Sequence, residues 1–199
     1  MPTPTSGCPP PLDPGKLHTL LLELVSKIPL SFESRHQDPD ARAREVVQGA
    51  AMRAAALSGA LALPPGPVGF ATIVPDLLAI WQIQKQMVAD VAAIYGKTGL
   101  LTREMMVFCL FKHGSAMFLR DMVVRVGERL VVRRVAVRVL QRVLKRIGVA
   151  VTQQLIAKTL ARWVPLLGAL GVGGYAYYDT SKVGETAIDA FRHDIVIEG

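Results

Sequence analysis

The chain has 199 residues, 51% of them hydrophobic and 20% charged, with a mean hydropathy of +0.33, which is greasier than an ordinary soluble domain. Its formal charge of +7 is focused: nine basic residues between Arg120 and Arg146 face only Asp121 and Glu128, and the remainder of the chain is neutral. The length excludes a multidomain machine. Two cysteines, Cys8 and Cys109, exclude a disulfide framework and point to free thiols in a reducing compartment.

In chain order, residues 1–15 form a proline-rich leader, expected to be a disordered tail. It lacks the basic start and apolar core of a secretory signal, so a cytosolic face is expected. Residues 16–199 are expected to form one domain. Lys16–Ile28 has helical character and stops at Pro29; the polar stretch Ser31–Asp38 follows. Asp38-Pro39-Asp40 then predicts a helix start, with an aspartate cap and proline in the first turn. Ala41–Leu63 is alanine-rich, and its small residues Gly49, Ser58 and Gly59 suit close helix packing.

From Ala54 to Gln84 the chain carries a single charge, Asp76. The cluster Pro64-Pro65-Gly66-Pro67-Val68-Gly69 divides this run into pieces shorter than the ~20 residues a spanning helix needs. Pro75 and Asp76 open a third helix ending at Gly96, on which Ile73, Leu77, Ile80, Gln84, Met87 and Val91 form one stripe. Thr102 is expected to cap a helical region reaching Trp163, with breaks at Gly114, Gly127 and Gly148. Within it, valine-rich Leu130–Leu140 tolerates a strand, but helix is preferred because Leu130, Val137, Leu140, Val143, Leu144 and Ile147 share an arc opposite Arg134, Arg138 and Lys145. A last helical unit opens at Val164-Pro165, is charge-free to Tyr178, and continues through Phe191 with Gly184, Ile188 and Phe191 on its apolar face. The predicted fold is all-α: a compact helical bundle with two hydrophobic helical hairpins punctuated by glycine and proline.

No Gly-x-Ser-x-Gly, phosphate-loop or His-Glu-x-x-His motif occurs. His18, His36, His113 and His193 lie apart from one another and from the cysteines, so neither a metal nor another cofactor is expected, and the chain reads as non-enzymatic. The glycines at 168, 171, 173 and 174 read as helix-packing positions. Asp76 reads as a first-turn acid and Gln84 as a buried structural amide. Asp179, Lys182, Glu185 and Asp189 read as a solvated face with local ion pairs.

The focused positive charge suits an anionic lipid surface, where each basic side chain adds ~1 kcal/mol before screening, and it reads almost equally well as the solvent face of a core helix. Nucleic acid is the weaker partner, because the segment lacks interleaved aromatics. Aromatic residues flank the two most apolar units, as interfacial side chains do and as core aromatics do equally. The expected lipid-contact set is Phe70, Trp81, Arg125, Arg129, Arg134, Arg138, Arg142, Lys145, Arg146, Trp163, Tyr175 and Tyr178. A competing reading is a soluble bundle that holds a lipid or small apolar molecule against the Ile73–Val91 stripe.

The segment Pro75-Asp76-Leu77-Leu78-Ala79-Ile80-Trp81-Gln82-Ile83-Gln84, with Ala89-Asp90-Val91-Ala92-Ala93-Ile94-Tyr95-Gly96 after it, resembles the EcsC-like family. So do the opening Val164-Pro165-Leu166-Leu167-Gly168-Ala169, the glycine run and the ending Val183-Gly184-Glu185-Thr186-Ala187-Ile188-Asp189-Ala190-Phe191. A helical domain fused to some small GTPases is similar in the same two signatures. The resemblance covers about residues 41–191. It implies a helical, membrane-associated bacterial protein at the cytosolic side of the inner membrane, in some members linked to an ABC-type transporter. It implies no catalytic residues.

Overall fold

The computed structural model describes residues 14–61, 73–119, 122–159 and 165–198. Phe70, the proline turn, Arg120, Trp163 and residues 1–13 of the leader lie outside the described residues; Pro14 and Gly15, expected in the tail, open α1 instead. Six helices dominate: α1 (Pro14–Ser26), α2 (Pro39–Leu61), α3 (Ile73–Ile94), α4 (Arg103–Leu119), α5 (Val137–Thr159) and α6 (Pro165–Arg192). Three short strands accompany them: β1 (Val123–Val126), β2 (Arg129–Arg133) and β3 (Asp194–Glu198).

Local chemistry sets several boundaries where the residues predict them. The Ala41 amide donates to Asp38 Oδ1 at 3.1 Å, and Pro39 occupies the first position of α2. At the end of α3, Gly96 adopts φ +69°, the Gly96 amide donates to the Ala93 carbonyl, and the Lys97 amide donates to the Ala92 carbonyl. That pairing is a Schellman closure, and it needs a residue free to enter the left-handed region. The Met105 amide donates to Thr102 Oγ1 at 3.3 Å, so Thr102 caps α4.

The long antiparallel contact of α2 with α6 is the spine of the molecule, and small residues make it possible. Ala43, Ala50, Ala54 and Ser58 on α2, with Ala176, Thr180 and Ala187 on α6, are all buried. Gly184 lies so close to Val47 that a Cβ there would stand 2.3 Å from Val47 Cγ1. A Cβ on Gly173 would meet the Ala55 carbonyl oxygen at 3.0 Å. Gly171 and Gly174 face open space, so of these three glycines only Gly173 is a packing position; the surroundings of Gly168 lie outside the described set.

The all-α expectation is corrected by the sheet. Val126-Gly127-Glu128-Arg129 is a two-residue hairpin in which Gly127 has φ +60°, a geometry that suits a tight turn rather than a helix break. Leu130 and Val132 point inward from β2 while Arg129 and Arg133 point out, the alternation of a strand. β3 then adds in parallel, with Leu130 opposite Ile195 and Val132 opposite Ile197. The helix expected over Leu130–Leu140 therefore begins only at Val137. Gly114 and Gly148, expected as breaks, lie inside α4 and α5.

The described part of the Ile73–Val91 stripe is core. Ile80, Gln84, Met87 and Val91 are buried, and Trp81 beside them packs edge-on to Phe111 with ring centroids 5.7 Å apart. Asp76 lies in the first helical turns of α3; its side chain is outside the described set. No described helix is long and apolar enough to cross a membrane.

Candidate functional site

Two arrangements of polar side chains join the helices. The first is a part-buried junction of α3, α4 and α6. Gln84 Nε2 donates to Asp179 Oδ2 at 2.8 Å and to Thr180 Oγ1 at 3.2 Å, and His113 Nε2 lies 2.7 Å from Asp179 Oδ1. Gln84 is buried as the sequence predicts, and its Oε1 meets no partner among the described residues. Asp179, however, is no member of a solvated face. It joins three helices through Gln84 and His113, two residues the sequence places far apart. Only Lys182 and Glu185 form the expected local pair, at 2.7 Å. Tyr175 lies one turn away, and burial, with the nearby Asp179 charge, raises its phenol above the usual range.

The pieces near this junction do not assemble a nucleophile. Cys109 is buried and burial pushes its thiol up to about 12, so it is a thiol rather than a thiolate at neutral pH. Among the described residues no group of three His, Cys, Asp or Glu side chains is placed to hold a metal ion. The junction reads as a register device: a carboxylate shared by two helices that would otherwise slide.

A second polar latch closes the other end of the spine. Asp40 accepts from the Tyr95 hydroxyl and pairs with Arg192, joining α2, the end of α3 and the end of α6. The Tyr95 and Arg192 hydrogen bonds hold the Asp40 carboxyl below its ordinary range, while burial and the Asp40 contact push Tyr95 up to about 12. Lys97 Nζ donates to the carbonyls of Phe191 and His193 at 2.8 and 2.7 Å, a cation on the C-terminal end of α6.

The basic residues predicted for lipid contact divide into two groups. Arg125 is engaged: its guanidinium pairs with Asp189 at 3.1 Å and lies against His193, clamping the β-hairpin to α6. Beside the predicted set, Arg133 pairs with Glu198 at 3.4 Å across β2 and β3. Arg129, Arg134, Arg138, Arg142, Lys145 and Arg146 are exposed. Four of these are on α5, a helix without one acidic residue from Val137 to Thr159. Leu140, Leu144 and Ile147 fix its orientation by burying the opposite side, so Arg138, Arg142, Lys145 and Val149 form an outward stripe at spacings of four, three and four. Among the described residues no carboxylate pairs with Arg138, Arg142 or Lys145. The stripe is a fixed, uncompensated positive strip.

The predicted aromatic contacts fare unevenly. Trp81 is only 4% exposed and is a core residue, which removes it from the expected contact set. Its ring goes inward because Phe111 and the α3 stripe leave it an apolar slot. Tyr175 and Tyr178 are exposed on α6, as expected. Phe70 and Trp163 fall outside the described residues. Sequence reasoning missed Leu30 and Phe32, which stand 87% and 102% exposed between α1 and α2; an alternation of apolar and polar residues after Pro29 was the available signal.

A groove of about 440 Å³ between α2 and α6 is lined by Arg44, Gln48, Tyr177, Glu185 and Arg192 among others. It mixes both charge signs and is open to solvent, unlike a drug-sized apolar pocket. Comparison with protein-family models, with curated proteins and with solved structures gives no match for this chain.

Proposed function

We propose that this chain is a non-catalytic peripheral protein that docks on an anionic membrane surface through the outward stripe of α5. The observation that carries the reading is the acid-free helix itself: Arg138, Arg142, Lys145 and Arg146 are exposed on a helix whose other side is buried in the core. A rigid row of cations meets lipid phosphates without ordering new backbone, and each contributes ~1 kcal/mol near an anionic leaflet before screening. Arg129 and Arg134, exposed on the adjoining β2 end and linker, extend the same charge. Exposed Val139 and Val149 suit the shallow interfacial position of a monotopic helix.

The resemblance to the EcsC-like family fits this reading and adds the cytosolic face of a bacterial inner membrane as the location, with a membrane protein such as a transporter as a further partner. Of the sequence expectation the reading keeps the basic residues: the described part of the apolar α3 stripe packs against the protein's own side chains, so the reading rests on the charge of α5. The same packing favours docking by charge over the competing reading of a lipid held against the stripe.

Vesicle flotation tests the proposal. The protein is expected to float with vesicles of 30% phosphatidylglycerol at low salt, to remain at the bottom with purely zwitterionic vesicles, and to be released by 0.5 M salt, where the screening length falls well below ~10 Å. Protein that stays with the soluble fraction on anionic vesicles at low salt defeats the reading.

A further inference from the structure

The connection between α1 and α2 presents two large apolar side chains to water, Leu30 at 87% and Phe32 at 102% exposure, with Ile28 at 38% beside them. A floppy loop would hide such residues against the body. This one is tied down so that it cannot. Gln86 Nε2 donates to the Leu30 carbonyl at 3.0 Å, and Ser31 Oγ donates to Asp90 Oδ1 at 2.7 Å while accepting from the Glu33 amide at 3.0 Å. Downstream, the His36 amide donates to the Ile94 carbonyl at 3.1 Å, and Glu33 is held by Arg42. The loop is thereby fixed along the outside of α3, with its side chains at 30 and 32 aimed outward.

We infer that Leu30 and Phe32 form a lipid-inserting wedge, which enters the acyl boundary of an anionic leaflet while Lys27 and Arg35 rest among the headgroup phosphates. The inference rests on the docking proposed above for α5 and adds larger apolar side chains to the exposed Val139 and Val149 of that helix.

Three observations favour a bilayer over a protein partner. First, the two side chains project from a narrow loop, and their neighbours Ser31 and Glu33 are polar; a protein interface needs a broad complementary patch of ~800 Å² per partner. A bilayer accepts a single projecting side chain. Second, the Leu30 carbonyl, the Ser31 hydroxyl and the Glu33 amide are already paired within the protein, so these groups are not stranded when the loop enters the interface. Third, the exposed charges flanking the apolar pair are cations, Lys27 and Arg35, whereas Glu33 is neutralised by Arg42. The Arg35 stem lies against Gly96, which holds that cation beside the loop. Headgroup phosphates complement this arrangement.

The test uses the full chain carrying Phe32→Cys in a Cys8→Ser background, labelled with an environment-sensitive dye; Cys109 is buried and stays unlabelled. A control carries Glu128→Cys at the exposed hairpin turn instead. On vesicles of 30% phosphatidylglycerol the label at position 32 is expected to brighten severalfold and to be quenched by nitroxide in the acyl chains, while the label at position 128 does neither. The double substitution Leu30→Ser/Phe32→Ser is expected to weaken partitioning ten- to hundredfold without lowering the melting temperature, since both side chains are already in water. A label that stays water-like on vesicle-bound protein overturns the wedge and leaves α5 docking standing. Protein that binds no anionic vesicle overturns both. A lipid-free dimer that the serine pair returns to monomer assigns the apolar pair to a second copy of the chain and overturns the wedge as well.

Discussion

Gly184 is the point at which the α2–α6 spine is most sensitive. A Cβ at that position would lie 2.3 Å, 2.5 Å and 3.0 Å from Cγ1, Cγ2 and Cβ of Val47. Val47 is β-branched, buried and inside a helix, so its χ1 has little freedom to yield. Overpacking of this kind costs about 1–3 kcal/mol, and the shortness of these contacts places Gly184→Ala at the upper end. Alanine recovers about 1 kcal/mol of helix propensity, which leaves a net loss of about 2 kcal/mol. For a chain of this size that is a fall of about 4–8 °C in melting temperature. Adding Val47→Ala removes both colliding methyls, so the double variant should be more stable than the sum of the single effects by about 2 kcal/mol. Gly49→Ala and Gly174→Ala, whose new methyl groups would meet nothing, serve as controls and should hold or gain stability. Thermal denaturation followed by circular dichroism reads all five proteins. A Gly184→Ala variant melting at or above wild type would refute the spine as described.

Two further outcomes follow from the latch and the core. Because the folded pKa of Asp40 is depressed, its contribution is fully present above the unfolded value of about 3.9 and is lost as pH falls through the folded value. Asp40→Asn should therefore lower the melting temperature at neutral pH and flatten its decline below about pH 4; an unchanged acid limb would show that the latch does not form. Tyr95 runs the other way: its pKa is raised to about 12, so its share persists below the unfolded value of about 10 and disappears as pH climbs through 12, which an absorbance titration of Tyr95→Phe against wild type resolves. In a Cys8→Ser background, Ellman's reagent should find no reactive thiol in native protein and one after denaturation; rapid native labelling would place Cys109 outside the core.

The helix boundaries were legible because their signals are local. Asp38-Pro39, Gly96 and Thr102 each act within a turn of the residue they control, and each does in the structure what its chemistry implies. The sheet was only partly legible: the valine-rich run tolerated a strand, but β2 lies between β1 and β3, and β3 arrives after the whole of α5 and α6. Without that partner, Leu130 to Ile147 offers a plausible helical arc. Trp81 was misplaced for a related reason: an aromatic at the flank of an apolar run looks the same whether lipid or Phe111 receives it. The His113–Asp179–Gln84 junction joins three helices across large sequence separations, so no spacing rule finds it. The exposed α5 stripe was half visible. Its charge could be counted, but its orientation depended on which segment became strand.

The most direct measurement of the central claim compares wild type with Arg138→Gln/Arg142→Gln/Lys145→Gln in equilibrium sedimentation with anionic vesicles at low salt. All three side chains are exposed, so the triple variant should melt like wild type. Loss of three charges at ~1 kcal/mol each predicts binding weakened about a hundredfold, with a shallower salt dependence. Binding equal to wild type in a folded triple variant would contradict α5 as the docking surface.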